Sequence, residues 1–211
     1  MMSMNNIQKM RQTSRTAGEF AKGYLGYLSQ LLKKLDVSKI QEFIEALETA
    51  RRNGQTVFFA GNGGSATTAS HMANDLGIDP TAMDGHPPLR AVSLSDNLSV
   101  ITAIANDRGY EQVFTDQLKS AYRPGDLLLL ISASGNSPNL VAAANWVKSR
   151  GGKVFGFLGF DGGKLRGLCD LSIVVDTPKG EYGPVEDIHM VLDHIIYSWL
   201  RFGKRKGEAG S

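Results

Sequence analysis

An internal disulfide is excluded at the outset, because the 211-residue chain has a single cysteine, Cys169. One thiol cannot close an internal bridge, which fits a reducing compartment. Placed just ahead of an apolar segment, Cys169 reads as a small buried residue rather than a nucleophile. Charge of one sign is also scarce: 23 basic and 21 acidic side chains leave a formal net charge of +2. That balance gives no electrostatic reason to expect nucleic acid or a membrane as partner. The short basic stretch Gly203–Lys206 reads as part of a solvated, flexible tail over 203–211. No apolar run approaches the ~20 residues needed to span a bilayer. The polar segment Met1–Gln12 has no apolar signal core, so a cytoplasmic location is expected. No linker-like segment divides the chain either. A single domain over 1–211 is therefore expected, with N-terminal helices over about 17–54 and an α/β core over about 55–202.

What is present is an apolar content of 42 %, enough for a sizeable core in a chain of this length. Phe20, Tyr24, Tyr27, Leu28, Leu31, Leu32 and Leu35 recur at helical spacing and predict a helix over Ala17–Leu35. It is too apolar to lie alone on a surface, and is expected to pack on the sheet or on another subunit. A second helix fits Ser38–Asn53, stopped by Gly54. From Thr56 the pattern changes to short β-rich runs alternating with helical stretches. Strands are expected at Thr56–Ala60, Leu89–Leu94, Leu127–Ser132, Lys153–Leu158 and Leu171–Val175. Helices are expected near 66–76, 99–106, 110–121, 139–150, 165–168 and 185–202, and a long loop over Asp79–Pro88. The run LLLLIS at 127–132 is apolar throughout, as suits the centre of a parallel sheet covered on both faces. Five strands alternating with helices predict a doubly wound parallel α/β sheet.

Two strand-to-helix loops share one design. The first is Gly61-Asn62-Gly63-Gly64-Ser65; the second is Ser132-Ala133-Ser134-Gly135-Asn136-Ser137. Glycines permit a tight turn and a close approach to a ligand. The helix that follows offers free N–H groups and the positive end of its dipole, which favour an anion. Serine hydroxyls donate to phosphate oxygens without adding charge. Neither loop carries the Gly-Lys-Ser/Thr of a Walker A motif or the full dinucleotide fingerprint. Two such loops on separate strands point to phosphate binding.

A second constellation lies on two helices. His71 and Asp75 are spaced i, i+4, and Glu186 and His194 are eight apart, so each pair shares a helix face. Two histidines and two carboxylates can converge on a divalent metal, with zinc the best match. They can equally form an acid–base pair. His189 falls on another face of its helix and is expected to be structural.

The segments GNGGSATTASHMANDL and ISASGNSPN resemble the sugar isomerase (SIS) domain. The wider pattern resembles its phosphoheptose isomerase branch: Ser95-Asp96, Ala105-Asn106-Asp107, Pro124-Gly125-Asp126, Asp161-Gly162-Gly163-Lys164 and Glu186-Asp187-Ile188-His189. The resemblance runs from about residue 20 to residue 200. It implies a flavodoxin-like five-stranded sheet, a homotetramer with a site drawing on more than one subunit, and a phosphosugar substrate, sedoheptulose 7-phosphate. It implies phosphate contacts from Ser65, Ser132, Ser134 and Ser137, and substrate contacts from Asn62, Gly63 and Gly64 of the first loop. Ser95, Asp96, Asn106 and Asp107 match positions lining the sugar site, and Glu186 is placed beside the substrate. It also implies zinc or another divalent metal held by His71, Asp75, Glu186 and His194, with Asp75 as base and His194 as acid. Three positions depart from the branch's pattern: Asp75 stands for Glu, Glu186 for Gln, and Gly183 where many members carry an acid. The branch also includes a non-catalytic regulator that associates with the replication initiator DnaA, so a scaffold, or an isomerase of another ketose phosphate, are the alternatives.

Overall fold

The computed structural model describes residues 4–78 and 88–202. The tail expected over 203–211 lies outside them, as does all but Pro88 of the expected loop at 79–88. The elements run α1 (Asn6–Thr13), α2 (Ala17–Leu32), α3 (Val37–Arg52), β1 (Thr56–Gly61), α4 (Gly64–Ile78), β2 (Arg90–Ser93), α5 (Leu98–Arg108), α6 (Thr115–Ala121), β3 (Leu127–Ser132), α7 (Pro138–Lys148), β4 (Lys153–Gly159), β5 (Leu171–Val175) and α8 (Tyr182–Phe202). Short 3₁₀ turns occupy Tyr110–Gln112 and Lys164–Gly167.

The strands form one all-parallel sheet in the order β2-β1-β3-β4-β5. That is the flavodoxin-like doubly wound order expected from the sequence. The period of two along each strand divides the core. Val57, Phe59, Leu129 and Ile131 join Phe43 of α3, Met72 of α4 and Ile188 of α8 on one face. Phe58, Ala60, Leu128 and Leu130 join Leu118 of α6 and Leu140 of α7 on the other. Both β1 and β3 are buried at every position, which is why their sequences are apolar runs rather than alternating ones.

Buried carboxylates fasten the frame. Asp126, in the Pro-Gly-Asp turn before β3, accepts the backbone N–H of Thr56 at 2.7 Å and of Arg123 at 2.8 Å. It thereby sets the start of β1 against the start of β3. Glu181, 1 % exposed, accepts the Asn6 backbone N–H at 2.6 Å and the Tyr27 hydroxyl at 2.6 Å. The first two helices are thus tied to the approach to α8. Tyr27, Leu28 and Leu32 of α2 pack on the core, while Leu25 stays exposed.

Two elements differ from the sequence expectation. The polar N-terminal stretch includes α1, whose start is fixed by a capping box between Asn5 and Gln8. The helix expected over 110–121 is broken into a 3₁₀ turn and α6. Val113 and Phe114 between them turn into the core, and Tyr110 is left at the surface. Cys169 is half-buried, and burial pushes its thiol up to about 12, which removes it as a nucleophile at neutral pH. His189 is fully buried against Phe157. Burial pushes its imidazole down to about 4, and its approach to the Leu158 backbone falls short of hydrogen-bond geometry.

Candidate functional site

In a 2-1-3-4-5 sheet the chain reverses its direction of winding between β1 and β3, and ligands bind outside the carboxyl ends of the strands there. Both serine loops leave the sheet at that switch point, since Gly61 at the end of β1 pairs with Ile131 near the end of β3. The first loop turns through Gly63 (φ +55°) into α4. Ser65 is buried, and its hydroxyl makes no hydrogen bond among the described residues. The second loop turns through Gly135 (φ +62°), where a Cβ would stand 1.9 Å from the carbonyl oxygen of Gly162. The Ser132 hydroxyl accepts the Gly135 N–H at 3.0 Å, and the Ser134 hydroxyl accepts the Asn136 N–H at 3.3 Å. Both keep their own proton for a ligand. Ser137 is the N-cap of α7 but its side chain caps nothing, so this hydroxyl too is uncommitted. The loop is braced from behind: the N–H of Leu165 reaches the Gly135 carbonyl at 3.0 Å, and that of Lys164 reaches Asn136 Oδ1 at 3.1 Å.

The remaining residues expected at the substrate are placed as follows. The Asn62 amide bonds to Asn139 and to the Tyr110 hydroxyl. Ser95 clamps the first loop, since its hydroxyl donates to the Gly61 carbonyl at 3.1 Å and accepts the Gly61 N–H at 3.4 Å. Asp96 accepts from the Ser70 hydroxyl of α4. Asn106 and Asp107 are exposed on α5 and bond to each other at 2.8 Å. No hydrogen bond among the described residues joins them to either loop.

The helices α4 and α8 bring a polar cluster together beside the first loop. His71 Nε2 lies 3.2 Å from His194 Nε2, 3.3 Å from Asp75 Oδ2 and 3.7 Å from Asp193 Oδ2. One donor atom from each of these four residues falls within 4.8 Å of the others. Glu186, expected among the ligands, is not in this group. It sits eight residues before His194, about 12 Å along the helix axis. Its carboxylate instead leans on the first turn of α4, where a Cβ at Gly64 would stand 2.6 Å from Glu186 Oε2. Burial, with Asp187 beside it, raises its carboxyl above the usual range. Asp193 completes the four-residue cluster. Its side chain is fully buried and neither oxygen has a hydrogen-bond partner. Burial, reinforced by the charge of Asp75, pushes its carboxyl up to about 7. The departure at Gly183 has a steric counterpart: a Cβ there would stand 2.9 Å from the hydroxyl of Tyr24, which donates to Asp187 at 2.5 Å.

Sequence reasoning missed Asp193, Asn139 and Tyr110. For Asp193 a signal existed. Val185, Ile188, His189, Leu192 and Ile196 mark the buried face of α8, and an aspartate within that stripe is an acid at a core position. For the other two none existed, because they are set by loops from different parts of the chain.

The SIS-domain family model matches residues 19–159. The phosphoheptose isomerase of Burkholderia pseudomallei (strain 1710b) is 39 % identical over 175 residues, covering 80 % of this chain and 85 % of that protein. That of Chlorobaculum parvum is 37 % identical over 173 residues, covering 82 % of each. Among solved structures, phosphoheptose isomerase GmhA from Neisseria gonorrhoeae superposes with a TM-score of 0.77 at 28 % identity, covering 88 % of this chain and 98 % of that one. With its sheet order, its paired serine loops and these relatives, the chain belongs to the SIS-domain family, in the phosphoheptose isomerase branch.

Proposed function

We propose that this protein is an intramolecular aldose–ketose isomerase that converts sedoheptulose 7-phosphate into D-glycero-D-manno-heptose 7-phosphate. The observation that carries this is the placement of two uncharged, hydroxyl-lined anion loops beside a cluster of two imidazoles and two carboxylates. The loops hold the phosphate through Ser65, Ser132, Ser134, Ser137 and the N–H groups at the starts of α4 and α7. Fixing the distant phosphate orients the carbon chain and lowers the entropic part of the barrier. Asp75 removes the proton at C1 of the ketose, and His194 serves the return of a proton at C2 of the enediol. Glu186, over the first loop, lines the path between phosphate and cluster.

The cluster fits a divalent metal, and zinc is the ion its nitrogen and oxygen donors match. Ligand bonds of about 2.0–2.1 Å in a tetrahedron put donor atoms about 3.3 Å apart. The separations of 3.2, 3.3 and 3.7 Å around His71 Nε2 are of that size. The unpartnered oxygens of buried Asp193 are the kind of group a cation satisfies. His71, Asp75, Asp193 and His194 would hold the ion. When bound, such an ion supplies Lewis-acid polarisation of a carbonyl.

We also infer a cytoplasmic homotetramer. Among the described residues no helix is long and apolar enough to cross a membrane. Ile195, Trp199 and Phe202 form an exposed apolar stripe along α8, as a subunit contact would use. Incubation with sedoheptulose 7-phosphate, followed by NMR, tests the activity. Conversion that is lost in Asp75→Asn and His194→Gln supports it, and phosphate-loop occupancy without turnover contradicts it. Metal analysis and light scattering of the same sample test the ion and the tetramer.

A further inference from the structure

Asn62 and Asn139 face each other as a reciprocal amide pair. Asn62 Nδ2 donates to Asn139 Oδ1 at 3.0 Å, and Asn139 Nδ2 donates to Asn62 Oδ1 at 2.9 Å. Asn62 belongs to the first phosphate loop and Asn139 to the first turn of α7, behind the second. The pair therefore joins the two anion-binding loops, 77 residues apart in sequence. Asn139 is 1 % exposed, whereas Asn62 is half-buried at the mouth of its loop.

The direction of these bonds is fixed from outside the pair. The backbone N–H of Leu140 reaches Asn139 Oδ1 at 2.9 Å, and a backbone N–H can only donate. Asn139 must therefore turn its oxygen to Leu140 and its nitrogen to Asn62. Asn62 must answer with its nitrogen toward Asn139 Oδ1 and its oxygen toward Asn139 Nδ2. The Tyr110 hydroxyl then donates to the same Asn62 oxygen at 2.9 Å. Both lone pairs of Asn62 Oδ1 are now filled, and the free capacity of its side chain is one N–H.

We propose that Asn139 and Tyr110 are positioning residues that lock Asn62 as a pure hydrogen-bond donor to an acceptor oxygen of the bound phosphosugar, and hold the two loops in register. This rests on the phosphosugar reading of the site. Locked in this way, Asn62 binds a phosphate or carbonyl oxygen and cannot accept from a sugar hydroxyl. Tyr110 is at the rim, 55 % exposed, so its hydroxyl can be removed without touching the core.

The test is a set of double-mutant cycles on metal-loaded protein with sedoheptulose 7-phosphate. Tyr110→Phe lowers kcat/KM about fivefold and Asn139→Leu more than about tenfold, as expected for one and for two or more lost hydrogen bonds. Neither adds to the loss already caused by Asn62→Ala, because both act through Asn62. Losses that add in the double variants, or Tyr110→Phe at wild-type efficiency, overturn the proposal. If Asn139→Leu fails to fold, the Tyr110→Phe cycle decides alone. The side-chain amide resonances of Asn62 in ligand-free protein give a readout independent of turnover. They shift in Tyr110→Phe if the lock exists, and unchanged resonances overturn it. Should wild type leave sedoheptulose 7-phosphate unconverted, the isomerase reading falls while these resonances still judge the lock.

Discussion

The two Gly- and Ser-containing loops occupy equivalent strand-to-helix positions, yet they are held in different ways. The second is braced by its own side of the sheet: the turn at Gly162–Leu165 after β4 presses on Gly135 and bonds to Asn136. Its hydroxyls at Ser132 and Ser134 already accept backbone N–H groups, so the loop is shaped before a ligand arrives. The first loop leaves the Ser65 hydroxyl uncommitted and is held from the side by Ser95 and from above by Glu186 of α8. The lesson is that one loop is a rigid seat, while the other is coupled to the helix that carries half of the His/Asp cluster.

The sharpest way to break this contrast is Gly135→Ala. A Cβ has no room against the Gly162 carbonyl and the φ of +62° disfavours it, so the second loop should be lost along with about 3 kcal/mol or more of stability. Thermal unfolding and phosphate titration measure both.

Buried His189 of α8 makes one part of the stability pH-dependent. Its imidazole is held at about 4, below its ordinary value near 6.5, so the unfolded chain binds the extra proton first. The His189 contribution is fully present above about pH 6.5 and falls by up to about 3 kcal/mol as pH falls to about 4, while buried Asp193, whose carboxyl is raised to about 7, contributes with the opposite sign over the same range. His189→Leu should flatten that part of the stability profile.

Gly64→Ala probes the coupling directly. The new methyl displaces the Glu186 carboxylate, at a cost of about 1 kcal/mol that Glu186→Ser should relieve in the double variant. The smallest effects distinguish the serines. Ser132→Ala should cost about 1 kcal/mol of stability by orphaning the Gly135 N–H. Ser65→Ala should leave stability within about 0.5 kcal/mol and weaken phosphate binding instead. Equal stability losses in the two variants would erase the distinction.

Much of this was legible in the sequence, and the reasons are physical. Apolar runs bounded by glycine loops specify parallel strands, and the Asn5/Gln8 capping box would have revealed α1. The serine loops show their strand-to-helix setting locally. Helical spacing placed His71 with Asp75 on one face of α4 and His194 with Glu186 on one face of α8. Glu186 shares a face with His194 but lies about two turns away along the axis, outside the four-residue cluster. The hidden parts are long-range: Tyr110 meets Asn62, and Asn62 meets Asn139, only because β1 and β3 are neighbours in the sheet.

If the loops present a phosphosugar to the His/Asp cluster, isomerisation exchanges its carbon-bound protons with solvent. Turnover of sedoheptulose 7-phosphate by the metal-loaded protein in D₂O, followed by NMR, tests it most directly. The expected product is an aldose heptose 7-phosphate carrying deuterium at C2. An unchanged ketose, with no deuterium at any carbon, would contradict it.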